Sequence, residues 1–419
     1  MELEKVKRLY DLCYEKRKGA VKCFQSVGRQ LPFISDAYPG IWLETSVYGS
    51  LLLARMEPEG LQIAENTVNT FLDYQTPDGQ LPSHILDAAS CPPDFNGELV
   101  GYSQIQECVS FARLCLLIYE MNGDMAFLKR CYEGGKAWDG WLRRNRMTTG
   151  RGLVEMFCGY DTGHDHSGRF EGISCPLNYR YYENGVKKYH NAAVLPPDDG
   201  ITPILAPDIN CTFYATQIAL SEMAEILGFS EEAAEWREKA KAVKQKLFEH
   251  CYNEADAFFY DVDRNGNQRK YLSISILHLF MEQVLDPVED GALIREIYER
   301  HLKNPAEFWT AYPFPATAVS DPYWQNLKNP PNNCWGYYTQ TLTLQRCILW
   351  MDQYGFGEDF GEICRRWLQA YTDCFEEVPF GQEIHPITGK PTTCSPWAFG
   401  VMSFYRYTVN RLGLFETKK

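Results

Sequence analysis

The chain has 419 residues, a formal net charge of −14, 45% hydrophobic and 14% aromatic residues. This is the composition of a globular protein with ample apolar residues for a large core, and it excludes a disordered or fibrous chain. No basic stretch runs along the sequence, so we expect neither nucleic acid nor an anionic membrane surface as a partner.

The 15 cysteines lie singly, without a Cys-x-x-Cys pair, and several fall in apolar helical segments, as Cys108, Cys115 and Cys347 do. In that setting a free cysteine behaves as a small buried hydrophobic residue. The first residues are charged and no apolar run reaches transmembrane length, so we expect no signal peptide and a reducing, cytoplasmic location.

Apolar periodicity predicts about twelve helices in successive hairpins and no series of parallel strands. A short β-hairpin is predicted over residues 254–270, turning at Arg264-Asn265-Gly266. Short and long polar loops alternate, which favours one all-α domain over residues 1–419, a toroid whose long loops surround a pocket. The predicted helices cover residues 2–18, a stretch ending near 54, a segment around 61–71, 103–121, 124–146, 210–227, 230–251, 271–284, 290–303, 335–354, 357–376 and 395–413.

The loop over residues 159–170 (GYDTGHDHSGRF) concentrates two aspartates, two histidines and an arginine. Its glycines favour a sharply bent backbone that can direct polar groups into a pocket. An ordinary surface loop, in which each aspartate caps its own turn, is the structural alternative. His164 and His166 flank Asp165, but no further His or Cys cluster has ligand spacing, so we expect no metal and no cofactor.

A second acidic loop covers residues 381–389 (GQEIHPITG), with Glu383 near its start and an aromatic run around Trp397 and Phe399 after it. Hydrolysis of a glycosidic bond requires two carboxyl groups across one pocket. One must be protonated to donate to the leaving oxygen, and the other must be ionised. The two acidic loops therefore favour this chemistry.

The order of these motifs resembles the trehalase-like clan of inverting glycoside hydrolases, which includes trehalases, family 63 α-glucosidases and mannosylglycerate hydrolases. Residues 165–170 (DHSGRF) look like the clan's Asp-x-Ser-x-Arg-aromatic motif, and residues 383–389 look like its Glu-x-Tyr-x-Pro-x-Thr-Gly motif. Residues 207–210 (PDIN) and 397–400 (WAFG) resemble two further clan motifs. The resemblance implies an (α/α)6 toroid of six helical hairpins, with Asp165 as the general acid and Glu383 as the general base.

Three departures from the clan's pattern matter. Residues 159–161 (GYD) resemble the Gly-Trp-Asp that precedes the acid, so Asp161 competes with Asp165, which we favour because Ser167 and Arg169 keep the expected offsets. The second motif is one residue short and has His385 in place of tyrosine. Residues 329–335 lack the Arg-Gly-Pro-x-Trp of trehalases, which argues against trehalose.

Further residues are candidates for binding the substrate. Arginines offer bidentate hydrogen bonds, tryptophans offer stacking platforms, and amides can bind sugar hydroxyls. Each type also has a structural alternative, since arginines hold loops in ion pairs and tryptophans fill cores. The substrate-binding candidates are Trp42, Glu44, Gln104, Asp161, Arg169, Asn178, Arg180, Trp335 and Trp397.

Together these features predict a cytoplasmic, exo-acting, inverting α-glycosidase. Its substrate would be a small α-glucoside or α-mannoside, such as mannosyl- or glucosylglycerate or a disaccharide. Two alternatives stay open: a sugar epimerase or isomerase on a similar toroid, and a catalytically silent carbohydrate-binding protein. The sequence leaves homo-oligomerisation open.

Overall fold

The computed structural model describes residues 2–35, 38–92, 95, 97–332, 334–377, 380–393 and 398–416. Helices dominate this part of the chain. They are α1 (Leu3–Ala20), α2 (Leu43–Met56), α3 (Gly60–Asp73), α4 (Phe111–Asn122), α5 (Met125–Asn145), α6 (Pro207–Ile226), α7 (Ser230–His250), α8 (His278–Met281), α9 (Gly291–Ile297), α10 (Pro322–Asn326), α11 (Thr341–Arg346), α12 (Gly357–Cys374) and α13 (Ala398–Arg411).

The strands are short and lie between the helices. They are β1 (Val21–Phe24), β2 (Arg29–Pro32), β3 (Gly40–Trp42), β4 (His84–Leu86), β5 (Glu155–Met156), β6 (Arg180–Glu183), β7 (Val186–Tyr189), β8 (Ile204–Leu205), β9 (Tyr252–Asn253), β10 (Phe258–Phe259), β11 (Asp261–Val262), β12 (Gln268–Arg269), β13 (Thr339–Gln340) and β14 (Glu383–Ile384). Strands β12, β11, β8 and β5 form one antiparallel sheet in that order, and the other strands pair in twos.

Alternate helices form an inner layer. Contacts run from α13 to α2, from α2 to α4, from α4 to α6 and from α6 to α8, while α11 contacts α13. The composition of these helices explains their position: α2 and α6 are buried over most of their length, as expected of helices that are apolar on nearly all sides. Their partners α3, α5 and α7 pack outside them. The arrangement is a helical toroid.

A buried ion cluster joins the two ends of the chain to this layer. Glu57, which follows α2, accepts hydrogen bonds from Arg17 of α1 and Arg406 of α13. All three side chains are buried. One carboxylate therefore ties the first and last helices to α2.

Several predicted elements have different limits in the structure. The helix predicted over 103–121 begins only at Phe111, and the residues before it form an irregular segment. The helix predicted over 271–284 is helical only at residues 274–281, and the helix predicted over 335–354 is helical only at residues 341–349. The hairpin predicted over 254–270 is divided between two strand pairs. Hairpins β1–β2 and β6–β7 were not predicted.

Among the described helices, none is long and apolar enough to cross a membrane.

Candidate active site

A cavity of about 440 Å³ opens at the end of the toroid where α2 and α11 begin. Loops from five parts of the chain close around it. Of the predicted site residues, those that line the cavity are Trp42, Glu44, Gln104, Asp165, Asn178 and Trp335.

The loop that carries Asp165 is fixed against the floor of the cavity. The carbonyl of Asp165 accepts a hydrogen bond from the Trp335 amide at 3.0 Å, and the Trp335 ring stacks on His164 at 4.7 Å between centroids. Gly163 has φ +72°, and a Cβ there would lie 2.5 Å from the Glu44 carboxylate. Only glycine therefore allows the loop to approach Glu44 this closely.

Asp165 has the electrostatic environment of a carboxylic acid that stays protonated. Burial raises the pKa of the Asp165 carboxyl well above its usual range, and the negative charges of Glu44 and Glu383 raise it further. Both effects disfavour the ionised form. Asp165 can therefore hold a proton where it faces the cavity.

Glu44 is the second carboxyl group that lines the cavity. Its Oε1 lies 3.2 Å from Nη2 of Arg346, a buried arginine of α11. Burial raises the pKa of Glu44 to about 7, although the charge and hydrogen bond of Arg346 oppose the rise. Glu44 thus changes charge near neutral pH.

Glu383 lies in β14, paired with Gln340 of β13. Its side chain is fully buried, and its Oε2 accepts a hydrogen bond from the Thr392 hydroxyl at 2.5 Å. The preceding residue, Gln382, lines the cavity, whereas Glu383 does not. Its charge nevertheless contributes to the raised pKa of Asp165, so the two carboxyl groups lie within electrostatic reach.

Asp161 lies away from the cavity and is not suited to donate a proton to a substrate. Its buried carboxylate lies 2.7 Å from Nη1 of Arg146 and accepts backbone hydrogen bonds from Ile105, Phe157 and Cys158. Each oxygen of the Asp161 carboxylate accepts a hydrogen bond from Arg146 and at least one from a backbone amide, so both oxygens are occupied. Asp161 instead joins the Gln104 segment to the loop that carries Asp165, which corrects its prediction as a ligand.

Arg169 is also a structural residue, contrary to its prediction as a substrate ligand. Its buried guanidinium binds two carboxylates: Asp208 at 2.6 Å and 3.0 Å, and Asp261 at 2.8 Å and 2.5 Å. Its Nη1 also donates to Nδ1 of His164 at 3.2 Å. A guanidinium shared by two carboxylates in the core has no donor directed at the cavity.

Two further candidates, Trp42 and Arg180, are less buried than Glu44 and Trp335. Trp42 is half-buried and stacks on His84 with 4.9 Å between centroids. Arg180 is exposed on β6 and does not line the cavity itself. Trp397 lies outside the described residues.

Several cavity residues were missed by the sequence analysis. Lys187 and Tyr189, which line the cavity, belong to the β6–β7 hairpin. The Asn184-Gly185 pair at its turn, flanked by tyrosines and valine, is a hairpin signal that could have located them. The other missed residues are Ile34, Tyr38, Thr45, His84, Leu86, Phe95, Gly97, Glu98, Gln106, Tyr160, Gly163, Leu342 and Gln382.

Among the described residues, no three His, Cys, Asp or Glu side chains are grouped so that they could hold a metal ion. His164 is held in the neutral form, because burial lowers its pKa well below the usual range and nearby Arg169 opposes a second positive charge.

Residues 38–338 match the family described as the mannosylglycerate hydrolase MGH1-like glycoside hydrolase domain. The chain belongs to this family. It is therefore a glycoside hydrolase, and the matched region includes Glu44, Asp165 and Trp335 but ends before Glu383.

Solved structures show the same fold at low sequence identity. The GH63 mannosylglycerate hydrolase from Thermus thermophilus, in complex with Tris and D-glycerate, has a TM-score of 0.67 and 15% identity, covering 96% of this chain and 100% of that one. Neutral trehalase Nth1 from Saccharomyces cerevisiae has a TM-score of 0.64 and 13% identity, covering 92% of this chain and 75% of that one. Both support the helical toroid.

A curated relative from Borreliella burgdorferi, described as an uncharacterized protein, is 28% identical over 170 residues. The match covers 41% of this chain and 31% of that protein's length. This chain thus matches less than a third of that relative.

Proposed function

We propose that this glycoside hydrolase is an inverting, exo-acting α-glycosidase in which Asp165 is the general acid and Glu383 the general base. The observation that carries the proposal is a carboxyl group that lines the cavity where α2 and α11 begin and whose pKa is raised well above its usual range. A general acid must be protonated at the working pH and must face its substrate.

Asp165 would donate its proton to the glycosidic oxygen as the bond to the sugar breaks. The leaving alcohol then departs neutral, and Asp165 is left as a carboxylate near Glu44. Repulsion between the two negative charges favours return of a proton to Asp165 from solvent, which restores the acid for the next turnover.

The base must remove a proton from the attacking water on the opposite face of the sugar. The resemblance to the clan gives this role to Glu383, whose negative charge contributes to the raised pKa of Asp165. The Glu383 carboxylate has no exposed surface, and the neighbouring residue Gln382 lines the cavity, so the role requires that water pass from the cavity to Glu383. Glu44, which already lines the cavity, is the competing candidate for the base.

The cavity favours a small substrate. A volume of about 440 Å³ is in the range of small-molecule sites, and the buried residues Glu44 and Trp335 are part of its lining. The Thermus thermophilus mannosylglycerate hydrolase was solved with glucose and with D-glycerate, which supports a glucosyl- or mannosylglycerate or a disaccharide as the substrate.

The same proposal includes a cytoplasmic enzyme formed by one domain over residues 1–419, with six helical hairpins. The alternation of inner and outer helices supports the six pairs. The cysteines support the compartment, since the described ones are free and most of them are buried.

Leaving-group dependence tests the role of Asp165. We expect Asp165→Asn to lower kcat/KM for alkyl α-glycosides by at least about 100-fold, because their oxygen needs a proton to depart. The loss should be much smaller for α-glycosyl fluorides, since fluoride departs without full proton transfer. Equal losses on both substrates, or full activity on alkyl glycosides, would contradict the assignment.

Two matched variants separate the candidate bases. We expect Glu383→Gln to abolish turnover of both alkyl glycosides and glycosyl fluorides, because activation of water is needed whatever the leaving group. Glu44→Gln should weaken turnover but leave it measurable. The reverse order would make Glu44 the base.

No observation favours the rival functions. An epimerase would need a pair of histidines facing one sugar carbon, whereas among the described residues that line the cavity the one histidine, His84, is stacked on Trp42.

A further inference from the structure

One face of the β6–β7 hairpin is turned toward the cavity. In this antiparallel pair Arg180 lies opposite Tyr189, and Tyr182 lies opposite Lys187. Residues opposite each other share a face of the hairpin, so these four side chains lie on one side. Because Lys187 and Tyr189 line the cavity, this side is the one that faces the substrate.

The two cations of this face have no carboxylate partner within the described residues. Arg180 and Lys187 occur in none of the ion pairs of that part of the chain, although most of its other arginines do. The charge of Arg180 nevertheless reaches a residue of the cavity, Tyr160. Burial and the charge of Asp165 raise the pKa of Tyr160, and the positive charge of Arg180 opposes this rise.

The positions of the two cations suit one shared anion. Arg180 and Lys187 are diagonal neighbours across the hairpin, a relation in which the Cα atoms lie about 7–8 Å apart. Long side chains from such positions can converge on a single group. Tyr182 is 68% exposed and Tyr189 lies beneath Lys187, 5.5 Å from its Nζ, so two phenol groups flank the same space.

The cavity carries charges of both signs. Glu44, Glu98 and Asp165 line it, and so does Lys187 of the hairpin, whose face Arg180 shares. The Glu44 carboxylate, when ionised, would repel an anionic substrate group, whereas the cations of the hairpin would attract it. This charge distribution favours a negatively charged leaving group beside the hairpin and a neutral sugar beside Glu44 and Asp165.

We infer that the leaving group of the natural substrate carries a phosphomonoester, bound between Arg180 and Lys187. This inference rests on the proposed function, because it names the aglycone of the same reaction. A phosphomonoester carries about −1.5 to −2 charges at pH 7 and three acceptor oxygens. The arginine fork and the lysine point charge together match that charge and those acceptors, whereas a carboxylate would leave one of the cations uncompensated.

Three α-glycosides that share one sugar and differ in the aglycone test this inference: glycosylglycerol phosphate, glycosylglycerate and neutral glycosylglycerol. We expect kcat/KM to be highest for the phosphate, mainly through a lower KM. Arg180→Ala and Lys187→Ala should each reduce the preference for the phosphate over the neutral glycoside by about tenfold.

Lys188→Ala is the matched control. It removes the same charge from the same hairpin, but Lys188 lies opposite Tyr181 on the other face. We expect this variant to keep the wild-type preference. An equal loss of preference in Lys188→Ala would show that only the general charge of the hairpin matters, and would overturn the inference.

Calorimetry with glycerol 3-phosphate and with D-glycerate provides a reading that does not depend on hydrolysis. We expect the wild type to bind glycerol 3-phosphate more tightly, and the Arg180→Ala/Lys187→Ala double variant to lose this difference. Tighter binding of D-glycerate, or hydrolysis of all three glycosides at equal kcat/KM, would overturn the inference. If the protein binds the phosphate but hydrolyses none of the glycosides, the proposed function fails and the phosphate site stands.

Discussion

Asp165 and Glu44 line one cavity, and the charge of one acts on the proton affinity of the other. Each is buried enough for its pKa to rise, but only Glu44 has an arginine partner that opposes the rise. The environment therefore distinguishes the two carboxyl groups: the counterion Arg346 favours the ionised form of Glu44, whereas burial and the charge of Glu44 favour the protonated form of Asp165. This difference is what a general acid beside an ionised carboxylate requires.

The pH profile of Glu44→Gln tests this coupling. The negative charge of Glu44 raises the pKa of Asp165, so removing that charge lets Asp165 lose its proton at a lower pH. Since activity needs the protonated acid, we expect the alkaline limb of kcat/KM to move to lower pH in the variant.

Glu98→Gln is the control for this shift, because Glu98 lines the same cavity but is not among the charges that act on Asp165. We expect its alkaline limb to coincide with that of the wild type. An unmoved limb in Glu44→Gln, or a shift to higher pH, would contradict the account.

At the scale of elements, ion pairs hold the loops of the site to the helices. Arg169 connects its loop to the first turn of α6 through Asp208 and to β11 through Asp261. Arg146 connects the end of α5 to Asp161, which in turn holds the backbone of Ile105. Two buried arginines, neither of which lines the cavity, thus position the Asp165 loop and the Gln104 segment.

We expect Arg169→Met to lower the free energy of unfolding by about 3–5 kcal/mol, because two buried carboxylates lose their counterion. Urea denaturation at pH 7 measures the change. Arg237→Ala serves as the control, since the Arg237–Glu225 pair is half exposed and should contribute at most about 1 kcal/mol. A loss in Arg169→Met as small as that of the control would be inconsistent with a structural role.

The sequence predicted those elements whose local pattern matches their environment. The periodicity of α5, α7 and α12 located these helices to within two residues at most of their ends, because each has one apolar face against the core. The start of α4 was wrong because residues 103–110 have an apolar pattern but form an irregular segment. In this segment the backbone N–H of Ile105 donates a hydrogen bond to the Asp161 carboxylate, and no local sequence pattern indicates this contact.

The same reason explains which site residues could be predicted. Trp42, Gln104 and Asp165 were predicted from motif resemblance and from residue type, and the structure places all three at the cavity. Asp161 and Arg169 were predicted in the same way, but their partners lie elsewhere in the fold. Asp161 and Arg169 could not be recognised as structural residues from the sequence, because their ion-pair partners are distant along the chain.

At the scale of the whole molecule, the toroid brings five separate parts of the chain to one cavity. The inner helices α2 and α11 both begin at its floor, with Glu44 and Leu342 in their first turns. The hairpin β6–β7 forms part of the rim, and the buried Glu57 cluster ties the chain's first and last described helices to α2. The fold therefore brings the carboxyl groups of Glu44 and Asp165 and the cationic hairpin to one cavity.

The central claim is that water attacks the sugar from the face opposite the bond that Asp165 protonates. Proton NMR of the first anomer released from an α-glycoside, recorded before mutarotation, tests it most directly. We expect the β-anomer to be released first. First release of the α-anomer would contradict the claim, because retention requires a covalent intermediate instead of a directly activated water.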